Sequence, residues 1–126
     1  MSKKVKTTKE PKKKVYNPIT FAKGILRRYS RTWIPMYEAR KLAKRGPNKY
    51  ECAECSELFG TKEIQIDHKS PVIDIELGDQ GLDIFAQRLF CEVENLQVLC
   101  KQCHSNKSVI EMHLRKAARH KKKENE

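Results

Sequence analysis

The chain has 126 residues, 27 Lys and Arg against 16 Asp and Glu, a formal net charge of +11, and 38% hydrophobic residues. That composition supports one small folded unit with charged extensions and excludes a second full domain. It also holds no run of 18 apolar residues, and the opening MSKKVKTTKEPKKK lacks the apolar stretch of a secretory signal, so a cytoplasmic protein without a membrane partner is expected.

The charge is unevenly placed. Residues 1–14 carry seven Lys and one Glu, and residues 15–49 carry nine basic side chains and one acidic. Residues 50–114 reverse the balance with five basic and twelve acidic, and residues 115–126 return to six basic and two acidic. Basic flanks around an acidic centre suit a chain whose flanks hold a polyanion while the centre does something that needs carboxylates. Nucleic acid is the obvious polyanion; simple solvation of charged ends is the alternative.

In chain order, 1–14 is expected as a disordered basic tail, since it has too little apolar surface to order itself. Residues 15–49 form a basic helical extension. Asn17-Pro18 opens one helix with Phe21, Ile25 and Tyr29 four apart, and Thr32 ahead of Pro35 opens another that runs to Gly46-Pro47-Asn48. Arg27, Arg28 and Arg31 sit on and after the first helix. Arg40 and Lys44 share a face of the second, with Lys41 and Arg45 beside them, a stripe suited to phosphates.

The pattern changes at Tyr50, where the region 50–114 begins. Glu63-Ile64-Gln65-Ile66-Asp67-His68 alternates as a half-buried strand does. Leu82, Phe85, Ala86 and Leu89 follow at i, i+3, i+4 and i+7, the spacing of a short amphipathic helix. A last helix, from about His104 through Ala118, frays into Lys121-Lys122-Lys123, which makes 115–126 a basic helix end and tail.

Five cysteines in a chain without an export signal point to metal before disulfides. Cys52-Ala-Glu-Cys55 and Cys100-Lys-Gln-Cys103 are two C-x-x-C pairs, each able to present two thiolates to one tetrahedral zinc. One structural zinc is therefore expected, closing a loop of 44 residues, 56–99. Cys91 is left over and reads as a small buried residue.

In and just beyond that loop stand Asp67, His68, Asn95 and His104. A carboxylate and a neutral imidazole can hold one divalent cation against a phosphate, and a second imidazole can take a proton from water. Asp67 with His104 suits the first role and His68 the second. Neighbouring strand residues point to opposite faces, so Asp67 and His68 serve one phosphate only if it lies across the strand end.

Ile66-Asp67-His68-Lys69, Asn95-Leu96-Gln97-Val98-Leu99-Cys100 and Cys103-His104-Ser105-Asn106-Lys107 together resemble the HNH endonuclease family, over roughly residues 50–113. The resemblance implies an α+β fold, a ββα-metal (His-Me finger) core stapled by a four-cysteine zinc and preceded by basic N-terminal helices. It implies that His68 is the general base, that Asn95 braces the loop carrying it, and that Asp67 and His104 ligate a catalytic Mg2+, Mn2+ or other divalent ion. Asn106 and Lys107 then take supporting or phosphate-contacting roles. His113 lies nine residues past His104 and His120 in the basic end, so neither is expected in the site.

The function so implied is hydrolysis of DNA phosphodiester bonds, by nicking, with double-stranded DNA as partner and basic flanks as phosphate clamps. One active site per chain favours nicking, with double-strand cutting needing a dimer or two separate events, and the sequence does not determine whether the chain is a monomer or a dimer. Two alternatives remain: a zinc-containing nucleic-acid adaptor without catalysis, and an accessory subunit of a phage DNA-packaging machine, working with a terminase in the host cytoplasm.

Overall fold

The computed structural model describes residues 14–125. The tail expected over 1–14 lies outside them except for Lys14, which is exposed. Helix α1 runs Pro18–Tyr29. It starts where Asn17 can serve as cap: its side-chain oxygen accepts from the N–H groups of Ile19 and Thr20, at 2.9 and 3.2 Å, and Pro18 brings no N–H that needs a partner. A 3-10 turn, Ser30–Thr32, leads to α2, Ile34–Ala43. Thr32 does not cap that helix, because its hydroxyl donates back to the Tyr29 carbonyl at 2.7 Å.

The second helix also ends sooner than its pattern suggests. Lys44–Gly46 forms strand β1, pairing with β2, Lys49–Glu51, which pairs in turn with β3, Leu58–Phe59. The helical reading of 15–49 is therefore corrected over its last residues. Pro47 disfavours helix at the residue before it, and Asn48 turns the chain at φ 53°, a left-handed conformation that Asn tolerates. Burial of Tyr50, opposite Lys44 in the register, then favours pairing over another helical turn.

Strands β4, Ile64–His68, and β5, Leu96–Cys100, form a second antiparallel sheet, with Cα partners running from Ile64 and Cys100 to His68 and Leu96. Between them lies α3, Leu82–Leu89, as its spacing predicts. After β5 comes α4, Lys101–Glu124, which begins inside the second cysteine pair: Cys100 is its cap, and its sulfur accepts from the Cys103 N–H at 3.4 Å. The whole is a small α+β fold, and among the described residues no helix is long and apolar enough to cross a membrane.

Strand β5 is the centre of packing. Leu96 packs with Met36 and Ala39 of α2, Val98 with Tyr50 and Ile64, and Leu99 with Cys52. Cys91 is half-buried against the first of these groups, and its carbonyl accepts from the Trp33 indole at 2.7 Å. The Trp33 ring stands edge-on to Phe90, 5.5 Å between centroids. Helix α1 packs on α3 in an unexpected sense. Phe21 and Tyr29 of its apolar stripe are exposed, while Lys23 and Arg27 lie over the ring of buried Phe85, 5.5 and 5.1 Å from its centroid.

Candidate functional site

The two cysteine pairs meet. All four Sγ atoms of Cys52, Cys55, Cys100 and Cys103 lie within 4.8 Å of one another. Four thiolates about 2.3 Å from one zinc would stand roughly 3.8 Å apart, so the cluster is close to a tetrahedral cage and its all-sulfur donor set fits a structural metal such as zinc. The local backbone is built for it. The Ala53 N–H donates to the Val98 carbonyl at 2.8 Å, tying the first pair to β5, and the Cys100 N–H donates to the Cys52 sulfur at 3.4 Å.

Electrostatics point the same way. Burial opposes ionisation of Cys52, yet N–H groups from Cys55, Cys100 and Glu54 outweigh it and lower the thiol to about 7. Cys103 is pushed the other way, first by its hydrogen bond with Cys100 and then by burial, because four crowded thiols cannot all ionise without a cation between them. Among the described residues this is the only group of three or more His, Cys, Asp or Glu side chains placed to hold a metal.

A second cluster forms where β4, β5 and α4 meet. Asp67 is largely buried, and its two oxygens face different partners. Oδ2 accepts from the Gln97 amide at 3.0 Å and lies 3.1 Å from the Lys107 ammonium, whereas Oδ1 is 3.7 Å from Nε2 of His104. Gln97 sits directly opposite Asp67 in the strand register, and His104 and Lys107 lie three apart on α4. Burial works against the Lys107 charge, but the Glu111 and Asp67 carboxylates outweigh it and hold the ammonium above its usual range.

His68 points to the other face of β4, as strand alternation requires. Its Nε2 is 2.9 Å from the Leu89 carbonyl at the end of α3. A carbonyl only accepts, so that nitrogen carries the proton and a neutral ring keeps its lone pair on Nδ1. The following loop is pinned by Asn95, whose backbone carbonyl accepts from the Lys69 N–H at 2.7 Å and whose side chain accepts from the Ser70 N–H at 3.0 Å. Despite their opposite facing, Asp67, His68 and His104 line one cleft at the strand end, with Arg27 and Arg115 on its rim.

The remaining residues singled out from sequence are scattered. Arg28 is exposed on α1, and Lys44 and Arg45 stand in β1, where Arg45 pairs with Glu51 at 2.8 Å. Arg31 and Arg40 line a groove that also touches Ile66, and Lys41 lies over the Tyr37 ring. Lys107 points inward to Asp67, the His68 carbonyl and Glu111. His113 and His120 are exposed.

Sequence reasoning passed over Gln97, the Leu89 carbonyl and Arg115. Antiparallel pairing of the two strands could have found Gln97 opposite Asp67. Nothing in the sequence marks a backbone carbonyl at the end of α3, or an arginine that donates to the Ile73 carbonyl at 2.9 Å. Comparison with protein-family models, curated proteins and solved structures finds no match for this chain.

Proposed function

We propose that the chain is a divalent-metal-dependent endonuclease that hydrolyses DNA phosphodiester bonds, one strand at a time, with a ββα-metal core of the HNH kind made by β4, β5 and α4. The observation that supports it best is the division of the Asp67 carboxylate. Gln97 and Lys107 take one oxygen and leave the other facing His104 across 3.7 Å, short enough for both atoms to reach one cation at roughly 2.1 Å each.

Asp67 and His104 would hold that ion, Mg2+ or Mn2+ by the mixed oxygen and nitrogen donors. When bound, it neutralises charge on the scissile phosphate and the leaving oxygen. The other steps fall to the chain. Nδ1 of His68 takes a proton from the attacking water, a role worth on the order of 10²–10⁴-fold in rate, while the Leu89 carbonyl keeps the ring in the tautomer that can accept it. Asn95 fixes the loop after His68, and Arg27 and Arg115 supply positive charge at the rim, where phosphate oxygens lie. The basic flanks, Arg28 and the described C-terminal end of α4 among them, give sequence-independent affinity for the duplex.

The test is a supercoiled-plasmid assay with Mg2+ or Mn2+, beside a chelated sample and a His68→Ala protein that retains its zinc. Metal-dependent conversion to open circle, lost in His68→Ala, is the expected result. A second reading has an observation of its own: with only two candidate ligands and an ammonium already on Asp67, the site can bind nucleic acid without cutting it. Intact plasmid from zinc-loaded protein across all ions would favour that adaptor, or a subunit that cuts only beside a DNA-packaging partner.

A further inference from the structure

Beside Ile66 of β4 is a groove of about 320 Å³, lined by Met36 and Ile66 and by Arg31, Tyr37, Arg40 and Gln65. Its composition is specific. Met36 and Ile66 are apolar, while Tyr37 is 60% exposed with the Lys41 ammonium 4.8 Å from its ring centroid. Lys41 lies over the ring, and much of the rest of the side chain is open to solvent. Neither Arg31 nor Arg40 is within ion-pair reach of a carboxylate among the described residues, so both guanidinium groups are available to an outside anion. Gln65 adds an exposed amide, a donor and an acceptor together.

An aromatic ring, an apolar lining, an amide and two unpaired arginines are what an unstacked nucleotide needs: a surface for the base, a hydrogen-bonding edge and partners for the phosphate. A helical phosphate rail would need only the charges. The place matters equally. Ile66 lines both this groove and the cleft, and Asp67 and His68 follow it directly in the strand. Groove and cleft are therefore neighbours, close enough for one DNA strand to touch both.

We infer that this groove is a subsite for one unpaired base of the DNA strand, flipped or single-stranded, stacked on Tyr37 with its phosphate held by Arg31 and Arg40, next to the cleft. The position next to the scissile bond rests on the proposed nuclease reading; base binding does not. The subsite gives the protein a substrate class, DNA that is locally unpaired beside the cut.

The test measures binding to the full zinc-loaded chain without added divalent ion, so that no cutting intervenes. Three labelled probes are compared by fluorescence anisotropy: a twelve-nucleotide thymidine strand, the same backbone with every base replaced by an abasic linker, and a fully paired duplex. Tyr37→Ala should weaken the thymidine strand about tenfold, at the lower end of what loss of one stacked base costs, and leave the abasic strand and duplex within about twofold. Tyr37→Phe keeps the ring and should bind as the parent does. A strand carrying 5-iodo-uracil should cross-link to Tyr37 in the unaltered protein, a readout that needs no variant to fold.

Equal loss on thymidine and abasic strands, Tyr37→Phe as weak as Tyr37→Ala, or cross-linking confined to other residues would each overturn the subsite. Base-dependent binding with an uncut plasmid would leave the subsite standing and remove cutting by the chain alone. Nicking without base-dependent binding would do the reverse.

Discussion

Opening the four-cysteine staple should cost this fold about as much as a disulfide would. A metal held there would join Cys52 and Cys55 to Cys100 and Cys103 and close the 44 residues from 56 to 99. Treated as a cross-link on the unfolded chain, a loop of that length contributes roughly 4 kcal/mol at 25 °C. For a unit of this size each kcal/mol moves the melting temperature by about 4 °C, so chelation or Cys55→Ser should lower it by roughly 15 °C. Cys55 is the right cysteine to change, since it is exposed and serine there disturbs little packing. Thermal unfolding followed by circular dichroism, with zinc measured on the same samples, tests this: about one zinc per chain in the parent, little in Cys55→Ser, and a full complement in Cys91→Ser. Protein purified without chelator that holds no zinc, or a melting shift under about 3 °C on chelation, would refute the staple.

Four further outcomes follow from the packing and the cleft. Phe85→Ala, emptying the most buried ring of α3 beneath Lys23 and Arg27, should cost about 3–5 kcal/mol and loosen α1, seen as faster proteolysis within 18–29. Asn95→Ala removes the acceptor of the Ser70 N–H and should reduce nicking more than DNA binding, with about 1–2 kcal/mol lost in urea unfolding. DNA affinity should fall with salt, and Arg40→Gln should flatten the slope of log K against log salt by about 0.7–0.9 if that arginine meets a phosphate. Asp74, whose carboxylate accepts from the Leu77 and Glu76 N–H groups and faces Arg88, is held below its ordinary 3.8. Its contribution is present above that value and lost as pH falls through the lower folded one, so protection of the amides in residues 71–81, relative to their intrinsic exchange, should fall as pH drops below about 4.

Much of this could be read from the chain because short-range rules decide it. The C-x-x-C pairs announce a shared metal, the alternation of Ile64 through His68 is a strand, and the spacing of Leu82, Phe85, Ala86 and Leu89 is the buried side of α3. What escaped was decided by distant partners. The stripe of Phe21, Ile25 and Tyr29 gives the apolar side of α1, but Phe85, some 60 residues on, drew Lys23 and Arg27 to itself and left Phe21 and Tyr29 outside. Arg40 through Arg45 reads as one basic helical face until Tyr50 recruits Lys44 into a strand. In and beside the cleft, residue types gave Asp67, His68 and His104, with Asn95 behind the loop that follows His68. How the oxygens of Asp67 divide between Gln97, Lys107 and His104 depends on strand register and a helix start that no local pattern states.

Helix α4 joins three things that could have been separate. Its cap is a cysteine of the four-cysteine cluster, its first turns carry His104 and Lys107, and its far end carries Arg119 and Lys121 to Lys123, all in one rod of 24 residues, about 36 Å long. The rod fixes phase as well as distance. One residue inserted after Leu114 would turn the basic end by about 100° and advance it about 1.5 Å, with the cysteines and Asp67 undisturbed. Seven inserted residues, close to two full turns, would restore the azimuth and move the charge about 10 Å outward. The molecule thus carries a protractor and a ruler in a single helix, and the number of residues added sets both together.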